Sequence, residues 1–371
     1  MNILHCTGMP FPTKYGGVEK WLVENCKYAF ENASTIYIAY SIETGYVEEY
    51  IAKIEKYACK CITLTTDNEI LEFCINNRID IVHFHFSFCG YRKLYKQLFS
   101  RGIRLFVHCH CENILFTDLR WKSNLLCRLR MLGHRVKTHY AASFFEMFLA
   151  CSEAVAKQYK CAYFLPNDKV AVHYLGVTRE KKETKIENDV PIIACTAFHS
   201  AIKGVDVLLY ALSELKEAGV LFLCYQIGGG SAELRGEDTR KLHELCTRLN
   251  LDDRVVWVGI TNRVSDYLRK SDIYCQPSRT EAISLSIAEA MQCGLPIVAS
   301  NVGGIPELVH NEDNGFTIEP ENVHLLAEKL KILINDYELR EKMGAASMDI
   351  LNSLDFYQDQ SVKKLWTYYT K

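Results

Sequence analysis

The chain has 371 residues, 49% of them hydrophobic and 24% charged, a balance that excludes a disordered chain and fits a globular enzyme of two domains. The net charge of −2 is unevenly divided: residues 1–178 carry 21 basic and 16 acidic side chains, and residues 179–371 carry 22 and 29. The basic first half predicts an anionic partner.

Strand-like apolar runs alternate with helical patterns along the chain, which predicts an α/β fold with parallel sheets. A helix is predicted at residues 18–30, after a Gly-Gly turn, and another after Ser152, which is a good helix cap. The predicted strands are residues 2–6, 36–40, 79–84, 104–108, 148–151 and 170–174, then 191–195, 221–227, 254–258, 273–276 and 296–299. The charged segment 179–190 between these two sets predicts an interdomain linker.

Two glutamates eight residues apart, Glu281 and Glu289, form the most informative pattern. Polar Ser278 and Thr280 precede a predicted helix that contains Glu289, and Gly294 follows as its expected C-cap. Beyond a short strand, a Gly-Gly turn precedes a second predicted helix, opened by Pro306. Two helix N-termini near one crevice predict a phosphate site, as in the binding of a nucleotide sugar.

These residues carry a resemblance to a known family. The spacing Glu281-x7-Glu289, the following Glu-Ala-Met-x-x-Gly-x-Pro run and the Gly-Gly-x-Pro-Glu turn resemble the signature of retaining glycosyltransferase family 4. The resemblance implies the GT-B fold, in which two Rossmann-like domains face each other across a cleft. It implies an acceptor-side domain at 1–178, a nucleotide-sugar-binding domain at 191–355 and a last helix, 356–371, that returns to the first domain.

The resemblance also implies roles for the second half of the chain. Glu281 would contact hydroxyls of the transferred sugar and Glu289 the ribose hydroxyls, tasks that suit carboxylates. For either glutamate alone, a solvated surface residue is the favoured interpretation. The family's commoner Gly-Phe-Gly sequence is absent here, and the phosphate-binding backbone would come from Ala282, Ile283, Ser284 and Leu285.

Lys203-Gly204 resembles the family's diphosphate element, in which the lysine is a point charge on the leaving group. The family often has an arginine five or six residues earlier, where this chain has Ala197 and Phe198. His199 is a candidate replacement. Glycine turns complete the implied sugar-donor site, because glycine lets backbone approach a ligand: Gly16, Gly17, Gly228, Gly229 and Gly259. A plain strand-to-helix turn is the alternative at Gly16 and Gly17.

Histidines lie in two pairs at neighbouring strand ends, His83 with His85 and His108 with His110. The resemblance implies a histidine beside the transferred sugar, and His110, or His108 if the register shifts, is the candidate. A structural role and metal binding are the alternatives. The His-Cys-His-Cys run at 108–111 lacks a second pair at zinc-finger spacing, so no metal is expected.

The segment 91–137 contains eleven lysines and arginines against two acids, Glu112 and Asp118, and mixes them with apolar residues. This pattern favours contact with an anionic membrane surface, with a solvated helix as the alternative. Nucleic acid is not expected, because no binding motif appears. Sixteen scattered cysteines, no signal-peptide pattern and no apolar run of about 20 residues predict a cytoplasmic protein, with at most peripheral contact at the inner membrane face.

The sequence as a whole predicts a retaining glycosyltransferase that moves a sugar from a nucleoside-diphosphate sugar, UDP-linked by preference, to a glycan or lipid-linked acceptor in surface polysaccharide synthesis. The nucleotide sugar is a co-substrate, and no cofactor is expected. The alternatives are a nucleotide-sugar epimerase of the same fold and a non-catalytic nucleotide-sugar-binding protein. A dehydrogenase is disfavoured, because Thr7-Gly8-Met9-Pro10 after the first strand is not a dinucleotide fingerprint.

Overall fold

The computed structural model describes residues 1–9, 16–41, 48–85, 92–110, 133, 136–180, 188–230 and 236–371. The chain forms two compact units: unit 1 is Met1–Thr178 with Tyr357–Lys371, and unit 2 is Arg179–Phe356. Each unit has a parallel sheet flanked by helices, which confirms the predicted α/β class.

In its described residues, unit 1 contains a seven-stranded parallel sheet in the order β3-β2-β1-β4-β5-β6-β7. The strands are β1 Asn2–Cys6, β2 Thr35–Tyr40, β3 Lys60–Thr63, β4 Ile81–His85, β5 Arg104–Cys109, β6 Met147–Ala150 and β7 Val170–Val172. Six of them lie where the apolar runs predicted. The sequence did not reveal β3, a four-residue edge strand without a fully buried side chain, because such a strand lacks an apolar run.

The unit 1 helices are α1 Gly17–Glu31, α2 Glu48–Glu55, α3 Asp67–Asn76, α4 Lys93–Phe99 and α5 Glu153–Tyr163. Helix α1 buries Trp21, Leu22 and Asn25 on one face. Ser152 caps α5 as predicted, since its hydroxyl accepts a 3.1 Å hydrogen bond from the Val155 amide.

In its described residues, unit 2 contains a six-stranded parallel sheet in the order β10-β9-β8-β11-β12-β13. The strands are β8 Ile192–Thr196, β9 Leu223–Ile227, β10 Val255–Gly259, β11 Ile273–Gln276, β12 Ile297–Ser300 and β13 Gly315–Ile318. Strand β13 was not predicted. It begins at Gly315, where a Cβ atom would lie only 1.9 Å from the Ile297 carbonyl oxygen, so close pairing with β12 requires a residue that sequence patterns associate with turns.

The unit 2 helices are α6 Val205–Glu217, α7 Gly236–Arg248, α8 Val264–Arg269, α9 Leu285–Gln292, α10 Val323–Asn335 and α11 Tyr337–Ser353. Ser278 and Thr280 precede the helix containing Glu289, as predicted. Ser284 is the N-cap of α9, because its hydroxyl accepts from the Ile287 amide at 3.3 Å. The prediction of a helix at Pro306 is wrong: Ile305–Glu307 forms a single 3₁₀ turn.

The last helix, α12 Gln358–Tyr369, belongs to unit 1, where it packs on α1. A parallel bridge joins Tyr357 to Val177, next to Gly176. A Cβ atom at Gly176 would lie 2.6 Å from the Tyr357 carbonyl carbon, so the chain returns to unit 1 through a backbone contact that excludes a side chain. Among the described helices, none has the length and apolar composition needed to cross a bilayer.

Candidate active site

Strand order places the candidate residues of unit 2 at a crevice. The order reverses between β8 and β11, and in open parallel sheets ligands bind at the carboxyl ends of the strands beside such a reversal. Lys203 follows β8 and Glu281 follows β11. The two predicted catalytic residues of this unit therefore come from the two strands that flank the crevice.

The structure joins these two residues directly. Lys203 Nζ lies 2.6 Å from Glu281 Oε1, and the side chains are 24% and 7% exposed. Partial burial makes a charged hydrogen bond stronger than it is at a surface. The sequence predicted separate roles for the lysine and the glutamate, whereas the structure pairs them.

Further donors converge on the same oxygen of Glu281. The Ser278 hydroxyl donates to Oε1 at 2.8 Å, and Gln276 Nε2 approaches it at 3.4 Å while donating to Ser278 Oγ at 2.7 Å. The Tyr274 hydroxyl in turn donates to Gln276 Oε1 at 2.9 Å. Among the described residues, no side chain donates to the second oxygen, Oε2. The network fixes the carboxylate through one oxygen and leaves the other for a ligand.

Arg279 braces the two loops that carry the pair, a role that the sequence did not reveal. Its guanidinium bonds both Asp206 oxygens at 3.0 and 2.8 Å and Glu321 at 2.8 Å, and its backbone amide donates to the Ile202 carbonyl at 2.8 Å. Burial raises the pKa of Asp206, but the hydrogen bonds and charge of Arg279, together with backbone amides, outweigh burial and hold the pKa below its ordinary value. The arginine thus fixes the turn that ends at Lys203 against the loop that carries Glu281.

Gly204 allows the two loops to approach each other. Its φ is +64°, in the left-handed region, and a Cβ atom there would lie 1.9 Å from the Pro277 carbonyl oxygen. This residue is also the N-cap of α6, directly after Lys203. Only glycine meets both requirements, so Gly204 has a packing role as well as the predicted role at the diphosphate.

We expect Gly204→Ala to destabilise unit 2 by more than about 2 kcal/mol, since a left-handed alanine alone costs about 1–2 kcal/mol and the Pro277 contact adds to it. Turnover of Gly204→Ala should fall as well, because relieving the contact with Pro277 displaces the loop that carries Lys203. Gly219→Ala is the matched control: Gly219 has φ +73° and no atom within 4 Å of its Cβ position. Urea unfolding of both variants measures the difference, and equal losses would contradict the proposed contact.

The residues after Glu281 lead into α9. Ala282 and Ile283 precede the cap Ser284, and Leu285 is the first residue of α9. The Ser284 hydroxyl lies 3.1 Å from Ser286 Oγ. Glu289 is half-buried within α9, about one turn from the helix start. The start of α9 is therefore the part of this segment that offers backbone amides to an anion.

Glycine loops close the other side of the crevice. The Gly228 amide donates to the Gly259 carbonyl at 2.8 Å, which joins the ends of β9 and β10. Gly228 has φ +107°, and a Cβ atom would lie 2.4 Å from the Ala197 carbonyl oxygen. A Cβ atom at Gly229 would lie 3.5 Å from Cε1 of the His199 ring. The predicted glycines of this unit thus meet at one edge of the sheet.

His199, the candidate replacement for the arginine, lies where burial opposes a positive charge. Burial, with a smaller effect of His243, lowers the pKa of His199 to about 4, so the ring is neutral at physiological pH. Its Nδ1 lies 2.9 Å from the Thr239 hydroxyl, which also accepts from the Gly230 amide at 3.2 Å. A neutral ring supplies no positive charge, so Lys203 and the backbone amides remain the predicted groups for an anionic ligand.

Unit 1 contains a layer of histidines on one face of its sheet, which we call the histidine layer: His5, His83, His85, His108 and His173, all buried. Strand register creates it, since His5 pairs with His83 and His85 with His108 across neighbouring strands. Burial lowers the pKa of every ring in the layer, to about 3 at His5 and about 4 at His173. The sequence showed two pairs and missed His5 and His173.

His110, the predicted sugar contact, lies one residue beyond β5 and is half-buried. Its Nε2 is 2.9 Å from His85 Nδ1. The alternative, His108, lies inside the strand, and its Nε2 donates to the His173 carbonyl at 3.1 Å. Two trios, His5-His83-His85 and His85-His108-His110, have ring nitrogens within 4.8 Å of one another. Such spacing is compatible with metal, although hydrogen bonds already link members of both trios.

The remaining predictions lie at other places in unit 1. Gly16 is the N-cap of α1, its amide donates to Glu19 at 3.0 Å, and Gly17 begins the helix. This arrangement matches the alternative of a strand-to-helix turn and leaves a phosphate role as a prediction. Of the basic segment 91–137, residues 91, 111–132 and 134–135 lie outside the described part of the chain.

Comparison with known proteins identifies the family. A family model described as glycosyl transferases group 1 matches residues 177–349, and one described as glycosyltransferase family 4 matches residues 16–181. The chain is 42% identical over 169 residues to an uncharacterized glycosyltransferase of Haemophilus influenzae, an alignment that covers 45% of this chain and 46% of that protein. It is 25% identical over 288 residues to N-acetyl-alpha-D-glucosaminyl L-malate synthase of Bacillus anthracis, covering 76% and 72%.

A solved structure shares the fold of this chain. The structure of HepE from Anabaena in complex with UDP superposes with a TM-score of 0.77 at 19% identity and covers 100% of both chains. The two parallel sheets with their helices, and the similarity to HepE, place the chain in the GT-B class of glycosyltransferases. The chain belongs to glycosyltransferase family 4, as the resemblance of its glutamate and glycine motifs implied.

Proposed function

We propose that this protein transfers a sugar from a nucleoside-diphosphate sugar to a glycan or lipid-linked acceptor with retention of configuration and without a metal ion. The observation that carries the proposal is the Lys203–Glu281 pair at the strand-order reversal of unit 2. A fixed cation beside a fixed carboxylate, next to the start of α9, suits a ligand that joins a diphosphate to a polyhydroxylated sugar.

The lysine stabilises the departing diphosphate. In glycosyl transfer, negative charge grows on the β-phosphate as the glycosidic bond breaks, and a positioned cation lowers the energy of that state. Lys203 is already held by Glu281 and by the Arg279 brace, so little reorganisation accompanies the reaction. Because His199 is neutral, Lys203 and the backbone amides share this task.

Glu281 holds the transferred sugar through its second oxygen. Oε1 is engaged by Lys203 and Ser278, so hydroxyls of the sugar would donate to Oε2. The acceptor hydroxyl would attack from the face of the leaving group, and a β-phosphate oxygen would take its proton. Glu289 is assigned to the ribose hydroxyls, and His110 of unit 1 to the transferred sugar.

A UDP-linked donor is the first choice, because HepE structures contain UDP, UDP with glucose, and UDP-glucose. The acceptor is assigned to unit 1 from its basic segment 91–137, whose charge also supports peripheral contact with an anionic membrane. Surface polysaccharide synthesis is the setting that such an acceptor would have.

Calorimetric titration with UDP, GDP, ADP and NAD, each with and without EDTA, tests the proposal. We expect UDP to bind most tightly and EDTA to leave its affinity unchanged, because the cation of the site is a lysine. Binding of NAD alone, or loss of UDP binding with EDTA, would refute this assignment. With a UDP-sugar and acceptor in hand, the anomeric configuration of the product, read by NMR, decides between retention and inversion.

A further inference from the structure

A chain of hydrogen bonds runs from the last helix of unit 1 through the histidine layer to His110. It begins at Trp366, whose indole Nε1 lies 2.8 Å from Asn25 Oδ1. An indole N–H only donates, so the amide atom that faces it must be the oxygen. The amide nitrogen of Asn25 then faces His5, with Nδ2 3.1 Å from His5 Nε2. Trp366 thereby fixes the orientation of the Asn25 amide.

The direction of every later bond follows from that orientation. Asn25 Nδ2 donates, so His5 Nε2 accepts, and a neutral His5 carries its hydrogen on Nδ1. That Nδ1 lies 2.8 Å from His85 Nε2, which must accept and leave the hydrogen of His85 on Nδ1. His85 Nδ1 lies 2.9 Å from His110 Nε2 and donates to it.

These hydrogen-bond directions need neutral rings, and the surroundings of the three histidines keep the rings neutral. Burial lowers the pKa of His5 to about 3. The pKa of His85 and of His110 is held well below the ordinary value, first by burial and then by neighbouring histidines. Each ring therefore carries a single hydrogen at physiological pH, and one bond of the chain determines the next.

We propose that Asn25, oriented by Trp366, sets the tautomers of His5, His85 and His110, so that His110 carries its imidazole hydrogen on Nδ1. Asn25 and His85 are positioning residues in this arrangement. Where His110 meets a ligand through Nδ1, it donates a hydrogen bond and does not accept one. That consequence rests on the proposed function, in which His110 holds a sugar oxygen and leaves proton removal to the β-phosphate.

Neighbouring rings have the opposite tautomer, which makes the proposal specific. His108 Nε2 donates to the His173 carbonyl at 3.1 Å, and His173 Nε2 donates to the Ser361 carbonyl at 2.8 Å. Carbonyl oxygens only accept, so both rings carry the hydrogen on Nε2. The histidine layer and His110 together should show two classes of neutral imidazole in one protein.

Long-range proton–nitrogen NMR of ¹⁵N-histidine-labelled protein measures the tautomers directly. We expect Nδ1–H at His5, His85 and His110, and Nε2–H at His108 and His173. An Nε2–H tautomer at His85 or His110 would overturn the proposal. So would stoichiometric zinc in the purified protein with His85 among its ligands, because metal would then occupy the nitrogens that the chain uses.

Variants of Asn25 test its control over the chain. Asn25→Leu removes the donor to His5, and we expect His5, His85 and His110 to lose their uniform Nδ1–H signature together. Trp366→Phe, which keeps an aromatic ring, should weaken the same signature and serves if Asn25→Leu does not fold. Ser361→Ala is the control: this hydroxyl accepts from Trp21 at 3.0 Å, outside the chain, so all tautomers should persist. If the His110 tautomer is unchanged in Asn25→Leu, Asn25 does not set the tautomers and the proposal is refuted.

Steady-state kinetics separates this inference from the proposed function. If Asn25→Leu changes the His110 tautomer and lowers kcat by about tenfold or more, both stand, since loss of one positioned donor has an effect of that order. If the tautomer changes while kcat and KM do not, the role of His110 in transfer fails and the tautomer assignment stands. If the wild-type tautomers differ from those expected, the inference fails whatever the kinetics.

Discussion

Turnover should fall by at least about 10²-fold in Lys203→Ala and in Glu281→Ala, because each removes a group that stabilises the transition state by a few kcal/mol. The lysine loss should act on kcat, since charge on the diphosphate grows as the reaction proceeds. The glutamate loss should act on both kcat and KM, since sugar hydroxyls are held in the ground state as well. Steady-state kinetics with the nucleotide sugar selected by calorimetry measures both.

The ion pair makes these two losses interdependent. Lys203 Nζ and Glu281 Oε1 are 2.6 Å apart, so each single variant leaves a partner, the buried Glu281 or the half-buried Lys203, without its counter-charge. We therefore expect the double variant to lose little more activity than either single variant, which is the signature of coupled residues. Losses that multiply would mean that the two side chains act independently and would contradict the pairing.

Lys216→Ala, on helix α6 that follows Lys203, provides the matched control. Lys216 pairs with Asp253 at 2.6 Å near the surface, and such exposed pairs contribute about 0–1 kcal/mol to stability. Turnover of Lys216→Ala should stay within about twofold of wild type, because loss of so weak a pair changes the fold little. Near wild-type turnover in both Lys203→Ala and Glu281→Ala would refute the site. Equal thermal stability of the wild type and all the variants would exclude misfolding as the cause of lost activity.

The sequence predicted the sheets well because buried parallel strands are continuous apolar runs, and crossover helices separate them. Residues 273–276, for example, were predicted as a strand and form β11. It failed at short edge elements such as Lys60–Thr63, where burial is too slight to produce a pattern. The sequence left the cap of α9 open, because Ser278, Thr280 and Ser284 are all suitable caps and only the fold decides among them.

Prediction of the candidate site from the sequence is limited by contacts between distant residues. Local spacing pointed to Glu281 and to Lys203, but the bond between them joins residues 78 apart in sequence. The brace of Arg279 on Asp206 spans 73 residues, and no local pattern records it. The histidine layer depends on register across β1, β4 and β5, so His5 became visible as its member only when the strands were paired.

Acid should unfold unit 1 well before it would unfold a protein without buried histidines. The five rings of the histidine layer have folded-state pKa values below the ordinary 6.5, because burial opposes their charged form. Between the folded and unfolded values the unfolded chain binds more protons, so stability is fully present above pH 6.5 and is lost as the pH falls. At pH 5 the His5 and His173 rings, with pKa values of about 3 and about 4, each contribute a loss of about 2 kcal/mol.

Two such rings would remove about 4 kcal/mol, a large part of the 5–15 kcal/mol that typically holds a domain folded. Urea unfolding at pH 7, 6 and 5, followed by tryptophan fluorescence, should therefore show a steep fall in the free energy of unfolding. His173→Asn should reduce the proton uptake on unfolding by about one, since one titrating ring is gone. Exposed His310→Asn should leave the slope unchanged. A flat profile from pH 7 to 5 would mean that the layer is already charged or solvated in the native protein, and the neutral hydrogen-bond chain through His5 and His85 would fall with it.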